Sequence, residues 1–208
     1  MERTLYNGVI SGMAIDGGSF FYPNPLASRG GYERKPWFGC ACCPSNLCRF
    51  IPSLPGYVYA VKGSSVYVNL FAACTASLSV DGQPVEIEQT TDYPWNGDIT
   101  LKINKASAKH FALKVRIPGW SQNQVVPSDL YSYADSIQPE YFDLAVNGLS
   151  VNSAVVDGYA TIERDWKKGD VVTLHLDMQP RLVKSSEKVA ANRGKVAIER
   201  GPIVYFVE

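Results

Sequence analysis

The sequence predicts a mainly β protein: an antiparallel β-sandwich preceded by a short region of helix and loop. Three observations favour this fold class. From Tyr57 onward, apolar and polar residues alternate over short runs, which is typical of strands with one buried face. Turn pairs that contain glycine separate these runs, and no helical pattern of about ten residues lies between them. Since a βαβ fold requires such helices, antiparallel sheets are favoured, and the chain divides into residues 1–56 and residues 57–208.

The predicted helices lie in residues 1–56. Apolar residues recur with approximately helical spacing in Arg3 to Met13, which predicts a helix there. Phe20 to Trp37 contains three prolines and a Gly-Gly pair, so it is expected to be loop with a short hairpin near its start. Pro44 suits a first helical turn, and Ser45 to Leu54 is then expected to form a short helix that ends at Pro55-Gly56.

Residues 57–208 are predicted to contain twelve strands. Asp81-Gly82, Asn147-Gly148 and Asp157-Gly158 are residue pairs that tolerate positive φ and therefore favour tight hairpins. Ser121 to Tyr141 lacks the alternation and is expected to be a long loop or an insertion. The predicted strands are Val58–Val61, Val66–Phe71, Ala76–Val80, Val85–Gln89, Ile99–Ile103, Phe111–Ile117, Asp143–Val146, Tyr159–Ile162, Val171–Leu176, Arg181–Lys184, Val196–Glu199 and Val204–Val207.

The charge balance argues against two classes of partner. The chain has 20 basic and 20 acidic residues, and no basic run interleaves with aromatic residues, so nucleic-acid binding is excluded. No apolar stretch approaches the roughly 18 residues of a membrane span. We therefore expect a soluble protein without a membrane partner, cytoplasmic or periplasmic. Met1 to Gly12 lacks the features of a secretory signal, and a signal on a preceding segment would not be visible in this sequence.

Four of the five cysteines are crowded together. Cys40, Cys42, Cys43 and Cys48 fall within nine residues, while Cys74 stands alone and is expected to be a buried, slowly reacting thiol. Such crowding favours metal or thiolate chemistry over a disulfide framework. A thiolate beside a metal ion and a helix N-terminus has a lowered pKa and becomes a nucleophile. The alternative is that these cysteines only pack in the interior.

Cysteine thiolates are good zinc ligands, but the spacing along the sequence does not identify the other ligands of such a zinc site. Zinc takes four ligands, and the sequence has no second CxxC or HxxxH motif, although Cys40 is a candidate third sulfur. His110 and His175 occur in or beside strand patterns and are expected to be structural. Glu199 and Arg200 are expected to form a structural pair at a strand end.

The aromatic residues beside the cysteines and at the strand ends can each be interpreted in two ways. Trp37 and Phe38 precede the cysteines, and they are either an aromatic floor that contacts a substrate or packing beneath the loop. Trp95, Trp120 and Trp166 lie at strand ends. They belong either to a ligand-binding surface or to the edge of the core, and burial in the core is favoured.

The sequence resembles the bacterial β-L-arabinofuranosidase family, glycoside hydrolase family 127. The similarity extends in order along the whole chain and is most specific at the cysteines. Ser45 differs, since the family often has a proline there. The segments that carry the resemblance are Glu2 to Gly8, Phe21 to Leu26, Trp37 to Asn46, Arg116 to Trp120, Asp165 to Asp170 and Gly194 to Tyr205.

The resemblance implies a fold, a cofactor and a reaction. In this family an (α/α)6 barrel carries the active site and β-sandwich domains follow it. Residues 1–56 are then the remnant of the C-terminal end of that barrel, and residues 57–208 are the β-sandwich region. Cys42 is the nucleophile of a retaining displacement, and Cys42 and Cys43 are zinc ligands. A glutamate and another cysteine that complete the zinc site, and the acid/base glutamate, lie upstream in the barrel.

The expected substrates are arabinofuranosides of plant polysaccharides or glycoproteins. A further expected partner is a second copy of the chain, in a homo-oligomer. Because the acid/base is implied to lie outside this sequence, the isolated chain is expected to be inactive. The alternative function is a non-catalytic β-sandwich module that has a structural role or contacts carbohydrate.

Overall fold

The computed structural model describes residues 1–23, 28–135 and 142–205. They form two compact units, Met1–Gly56 and Tyr57–Glu208. The prediction of a mainly β protein with little helix is confirmed, and the strands form three sheets. Parts of three predicted features lie outside the described residues. These parts are positions 24–26 of the family motif, positions 136–141 of the expected loop and positions 206–207 of the last predicted strand.

The helical segment near the N-terminus combines three types of helix. It consists of α1 (Glu2–Thr4), a π-helical segment Leu5–Val9 and a 3-10 turn Ile10–Gly12. The side-chain amide of Asn7 donates to the Arg3 carbonyl oxygen at 2.8 Å. Since this side chain competes with the backbone for the carbonyl, the π geometry has a local cause. The predicted helix is therefore present, but not as one regular α-helix.

The second helix begins earlier than predicted. Helix α2 comprises Cys42–Phe50 and continues into a 3-10 turn, Ile51–Ser53. Pro44 is its third residue, where a missing N–H breaks no intrahelical hydrogen bond, so the helix can include both preceding cysteines. Pro55-Gly56 does not end the helical region, because Pro55 begins the short helix α3 (Pro55–Val58).

The expected hairpin at residues 20–22 is replaced by two isolated bridges. Phe20 exchanges backbone hydrogen bonds of 2.9 Å with Lys35 and also forms a bridge with Met13. Phe21 N donates to the Gly12 carbonyl oxygen at 2.9 Å. The loop that contains Tyr22 is therefore held by backbone contacts on both sides of Phe20.

In residues 57–135 and 142–205 the structure describes fifteen strands in three sheets. The strand orders are β1-β2-β6-β11-β10, β3-β4-β5-β12-β8-β9 and β15-β14-β13-β7. The strands are β1 Tyr59–Lys62, β2 Ser65–Val68, β3 Cys74–Val80, β4 Gln83–Thr91, β5 Asp98–Ala106, β6 His110–Arg116, β7 Tyr131–Tyr133, β8 Phe142–Val146, β9 Leu149–Ser150, β10 Val155–Val156, β11 Tyr159–Asp165, β12 Val171–Leu176, β13 Pro180–Ser185, β14 Val196–Arg200 and β15 Ile203–Tyr205. Short 3-10 turns occur at Gly119–Gln122 and Ala190–Asn192.

One strand pair corrects the expectation of purely antiparallel sheets. Strands β2 and β6 are parallel, with Ser65 opposite Ala112 and Val68 opposite Val115. Parallel neighbours require a long crossover, because a tight turn reverses the chain. Here the crossover contains β3, β4 and β5, which belong to a different sheet. The chain thus returns to the first sheet in the direction in which it left.

The turn predictions are confirmed at Asp81-Gly82, Asn147-Gly148 and Asp157-Gly158, where both residues of each pair have positive φ. For example, Asp81 has φ of 48° and Gly82 has φ of 75°, as a type I′ turn requires. The Asn96-Gly97 pair also tolerates positive φ and is expected from its sequence to form a turn of this kind, but Gly97 does not have positive φ. A Cβ at Gly97 would overlap the backbone carbonyl of Leu176, and Leu176 N donates to Gly97 O at 2.9 Å. Glycine is needed there for close approach of two backbones.

Two of the three tryptophans at strand ends are buried as predicted. Trp166 is 2% exposed and stacks on Phe111, and its indole nitrogen donates to the Phe111 carbonyl oxygen at 2.9 Å. Trp120 is 7% exposed. The prediction is wrong for Trp95, which is 68% exposed.

The contacts of two neighbouring residues also differ from the prediction. Glu199 is buried and accepts a hydrogen bond of 2.7 Å from the Tyr133 hydroxyl. Arg200 instead donates to the Trp95 carbonyl oxygen at 2.9 Å. Because neighbours in a strand point to opposite faces, Glu199 and Arg200 have separate environments.

Across residues 1–23, 28–135 and 142–205, no helix combines the length and the apolar character that a membrane crossing requires.

Candidate functional site

The sequence-predicted nucleophile lies at the N-terminus of α2. Cys42 and Cys43 are the first two residues of this nine-residue helix, and both are exposed. The backbone N–H groups of residues 42 and 43 contribute to lowering the pKa of Cys42. No side chain caps the helix, so these amides are available to an anion. The start of α2 at Cys42 thus favours a thiolate at this position.

Tyr22 brings a further donor to the same sulfur. Its hydroxyl lies 2.7 Å from Cys42 Sγ. The Tyr22 ring packs against Phe38 with a centroid separation of 5.2 Å. Phe38 is half-buried, so it supports the tyrosine that contacts the cysteine.

The protons of this group are distributed unequally. The Tyr22 hydroxyl, followed by the Cys43 thiol, lowers the pKa of Cys42 by hydrogen bonding, while desolvation acts in the opposite direction. Correspondingly, the hydrogen bond to Cys42 raises the pKa of Tyr22 to about 12. The pKa of Cys43 is raised, mainly because its thiol donates to Cys42. Cys42 is therefore the group most readily deprotonated, with Tyr22 and Cys43 as donors.

We expect Tyr22→Phe to slow the alkylation of Cys42 by iodoacetamide severalfold at pH 7.5 in metal-free protein. Removal of the hydroxyl removes a hydrogen bond that favours the thiolate, so the pKa of Cys42 rises and its thiolate fraction falls. Peptide-level mass spectrometry measures the rate at each cysteine. Tyr32→Phe is the matched control, since Tyr32 is also exposed and lies in the same unit. Equal Cys42 rates in the two variants would contradict this role of Tyr22.

The spacing of the two thiols fits one zinc ion. Their sulfur atoms lie 3.9 Å apart. With Zn–S bonds of about 2.3 Å and a tetrahedral angle, two thiolates on one ion lie about 3.8 Å apart. Within the described ranges no group of three His, Cys, Asp or Glu side chains is arranged to hold a metal. The two thiols could thus supply at most two of the four ligands that zinc takes, and among the described residues Cys40 does not join them as a third.

A cleft of about 300 Å³ opens beside the thiols within the Met1–Gly56 unit. Its walls combine the π-helical segment, the Tyr22 loop and α2. This volume is at the lower end of the range for small-molecule sites. The residues that line it are Gly8, Val9, Gly12, Phe21, Tyr22, Cys43, Asn46, Leu47 and Phe50.

Trp37 and Phe38 have different environments. Trp37 is 55% exposed and meets the buried Phe20 edge to face, with centroids 5.9 Å apart. An exposed indole face remains available for a ligand, whereas Phe38 packs against Tyr22. The two roles considered from sequence are therefore divided, with Trp37 better placed for contact and Phe38 for support.

The sequence did not indicate Tyr22 as a site residue. Its only signal was its place in the Phe21 to Leu26 motif. His110 has structural partners, as expected, with Asp165 at 2.8 Å and Glu163 at 3.5 Å. These carboxylates raise the pKa of His110, the Asp165 hydrogen bond being the largest cause. Cys74 is half-buried rather than buried, which corrects the expectation for its thiol.

Comparison with protein families gives three consecutive matches. The model described as "Beta-L-arabinofuranosidase, GH127 catalytic domain" matches residues 1–56. The model described as "Beta-L-arabinofuranosidase, GH127 middle domain" matches residues 65–178, which is more than half of the chain. The "Glycoside hydrolase family 127 C-terminal domain" model matches residues 180–208.

Individual relatives agree with these matches. A curated non-reducing end β-L-arabinofuranosidase of Bifidobacterium longum subsp. longum is 30% identical over 224 residues, which cover 100% of this chain and 31% of that protein. A solved GH127 β-arabinofuranosidase is 62% identical with a TM-score of 0.94, covering 98% of this chain and 32% of its own. A GH127 β-L-arabinofuranosidase from Geobacillus stearothermophilus T6 is 38% identical with a TM-score of 0.83, covering 98% and 31%. The chain thus spans about a third of the length of these relatives.

Proposed function

Because the chain belongs to glycoside hydrolase family 127, we propose that it carries the nucleophile and the β domains of a retaining β-L-arabinofuranosidase. The nucleophile in this proposal is the Cys42 thiolate. The expected substrates are arabinofuranosides of plant polysaccharides or glycoproteins. The names of the relatives support the substrate class, and the chemistry at α2 supports the residue.

The observation that carries the proposal is the environment of Cys42 Sγ. Two groups contact this atom, the Tyr22 hydroxyl at 2.7 Å and the Cys43 thiol at 3.9 Å, and the backbone N–H groups of residues 42 and 43 further lower its pKa. Each favours a negatively charged sulfur, and the sulfur is also exposed to a ligand. A cysteine that only packs in the interior does not need such donors.

Cys42 and Cys43 would also hold the zinc ion, with both thiols as ligands. When bound, zinc would keep both thiols deprotonated at neutral pH and would partly neutralise the negative charge on their sulfur atoms. The sulfur separation of 3.9 Å supports this assignment. No described His, Cys, Asp or Glu side chain joins these two thiols as a third ligand, so other residues supply the remaining two ligands in this proposal.

In the proposed reaction, Cys42 Sγ attacks the anomeric carbon of the arabinofuranoside. The C–O bond to the leaving group breaks, a separate acid protonates the leaving oxygen, and water later hydrolyses the thioglycosyl bond. Tyr22 keeps its proton on Oη and directs it at the sulfur. Trp37 offers its exposed ring as a contact for the sugar, and Phe38 holds Tyr22 in place.

The domain assignment follows from the same family. We assign residues 1–56 to the C-terminal end of the helical catalytic barrel and residues 57–208 to a β-sandwich region. The limits of the compact units and the catalytic-domain match both fall at Gly56. The middle and C-terminal matches divide the second region near residue 179.

A direct test is a chimera in which this chain replaces the corresponding part of the β-arabinofuranosidase that is 62% identical to it. The chimera should release p-nitrophenol from p-nitrophenyl β-L-arabinofuranoside. If the chimera folds but shows no release, then the Cys42 site of this chain does not support the reaction.

The isolated 208-residue chain is expected to hold less than one zinc per molecule after dialysis and to release no p-nitrophenol. The described residues supply two thiols of a four-ligand site, and no third donor joins them. Metal analysis and the same arylglycoside assay measure both properties. Stoichiometric zinc together with turnover that disappears in Cys42→Ser would contradict this expectation.

The incomplete donor set also defines a second candidate function, a non-catalytic module with a structural or carbohydrate-contacting role. An inactive chimera together with an inactive isolated chain would favour this second function.

A further inference from the structure

A narrow cavity of about 20 Å³ lies within the Tyr57–Glu208 unit, far removed in sequence from Cys42. Its lining is unusually polar for a site between buried side chains. Arg181, Glu199, Tyr133 and Trp120 are each less than a tenth exposed. The polar residues around it are Trp120, Tyr133, Asp177, Gln179, Arg181 and Glu199.

Most of the polar groups at this cavity have protein partners. Tyr133 donates its hydroxyl proton to Glu199 Oε1 at 2.7 Å, and the Arg181 guanidinium lies over the Tyr133 ring, 3.3 Å from its centroid. Arg181 Nη2 donates to Asn123 Oδ1 at 2.7 Å. This network fixes the orientation of the arginine.

Two N–H donors lack hydrogen-bond partners among the residues that the structure describes. They are Trp120 Nε1 and Arg181 Nε, and both atoms are buried. Arg181 Nε lies 3.6 Å from Asp135 Oδ1, which is an ion-pair contact but too long for a hydrogen bond. A buried donor without an acceptor is costly. Both residues line the same cavity.

We propose that this cavity binds one water molecule, which accepts hydrogen bonds from Trp120 Nε1–H and Arg181 Nε–H. A water needs a cavity of roughly 10–15 Å³ or more and two to four polar partners. The volume of about 20 Å³ holds one water and excludes a sugar or a larger ligand. The carboxylates of Asp177 and Glu199 line the same cavity and would be the acceptors for its two protons, which would give the water four partners.

The charges around the cavity select water over an ion. Arg181 contributes one positive formal charge, while Asp177 and Glu199 contribute two negative ones, so an anion is disfavoured. The two N–H donors disfavour a cation. The site also joins two regions of the unit, because Trp120 and Tyr133 belong to the middle-domain match whereas Arg181 and Glu199 belong to the C-terminal match. The water would therefore form part of the junction between these regions.

The test is the transfer of magnetisation from water to tryptophan indole protons in the 208-residue chain labelled with [15N]tryptophan. The Trp120 indole proton should show a cross-peak to a long-lived water. Trp166 is an internal control, since it is equally buried but donates to the Phe111 carbonyl oxygen at 2.9 Å. No cross-peak at Trp120, or equal cross-peaks at the two indoles, would overturn the proposal.

Replacing Trp120 by an isosteric analogue gives an independent test, because the two alternatives predict Tm changes of opposite sign. Benzothienylalanine at position 120 keeps the ring shape but replaces the N–H group by sulfur. If the N–H group binds water, its removal should lower Tm by a few degrees. If the N–H group is unsatisfied, its removal relieves a penalty and Tm should rise, which would overturn the proposal. The same replacement at position 166 should lower Tm, because it removes a known hydrogen bond.

Discussion

In the chimeric β-arabinofuranosidase, Cys42→Ser is expected to lower kcat/KM for the arylglycoside by about 10³-fold or more, the scale of loss when a catalytic nucleophile is removed. A serine hydroxyl at the N-terminus of α2 is far less acidic than a thiol. The donors around position 42 therefore cannot produce an anion there at neutral pH. Release of p-nitrophenol under kcat/KM conditions measures the effect.

Cys48→Ser provides the matched control. Cys48 lies on the same helix and is also exposed, but among the described residues its thiol has no hydrogen bond to Tyr22 or Cys43, unlike that of Cys42. Its replacement should leave kcat/KM within about twofold, as expected for a surface change away from the site. Similar losses in both variants would show that the effect arises from the helix and not from a nucleophile. Full activity in Cys42→Ser would exclude Cys42 as the nucleophile.

Trp166→Ala is expected to lower the free energy of unfolding of the Tyr57–Glu208 unit by about 3–5 kcal/mol, the usual cost of truncating a buried tryptophan. The side chain is 2% exposed and stacks on Phe111 with ring centroids 5.5 Å apart. Truncation leaves a cavity and also removes the donor to the Phe111 carbonyl oxygen. Urea unfolding followed by far-ultraviolet circular dichroism measures the change.

Trp95→Ala is the control for this substitution. Trp95 is 68% exposed, and the hydrogen bond from Arg200 goes to its backbone oxygen, which alanine retains. We expect a change of about 0.5 kcal/mol or less. Equal destabilisation by the two substitutions would contradict the burial assigned to Trp166.

The sequence predicted a strand best where its side chains alternate strictly. Strand β12 has the predicted limits, Val171–Leu176, and its apolar residues at alternate positions are buried. Strand β7, Tyr131–Tyr133, was missed because three residues cannot show a period. Its pairing with β13 depends on residues about fifty positions later. Strands β9 and β10, with two residues each, were missed for the same reason. Local pattern therefore identified the long strands, and tertiary pairing determined these short ones.

The candidate site was predictable in part for a similar reason. Cys42 and Cys43 were evident because their crowding is unusual and is confined to one short segment. Tyr22 was not, because it reaches Cys42 through a loop of about twenty residues whose path depends on the bridges of Phe20 to Met13 and Lys35. Spacing along the chain contains no such information.

The parallel pairing of β2 and β6 has a consequence for biosynthesis. Strand β6 lies between β2 and β11. Ser65 in β2 therefore cannot pair until Ala112 in β6 has been synthesised, and Phe111 in β6 cannot pair until Arg164 in β11 has been synthesised. During translation, the β1–β2 hairpin and the β3–β5 meander leave the ribosome long before their later partners. Non-local pairing of this kind raises the contact order and slows folding. The early strands therefore keep unpaired edges while the later strands are made, and such edges are prone to aggregation.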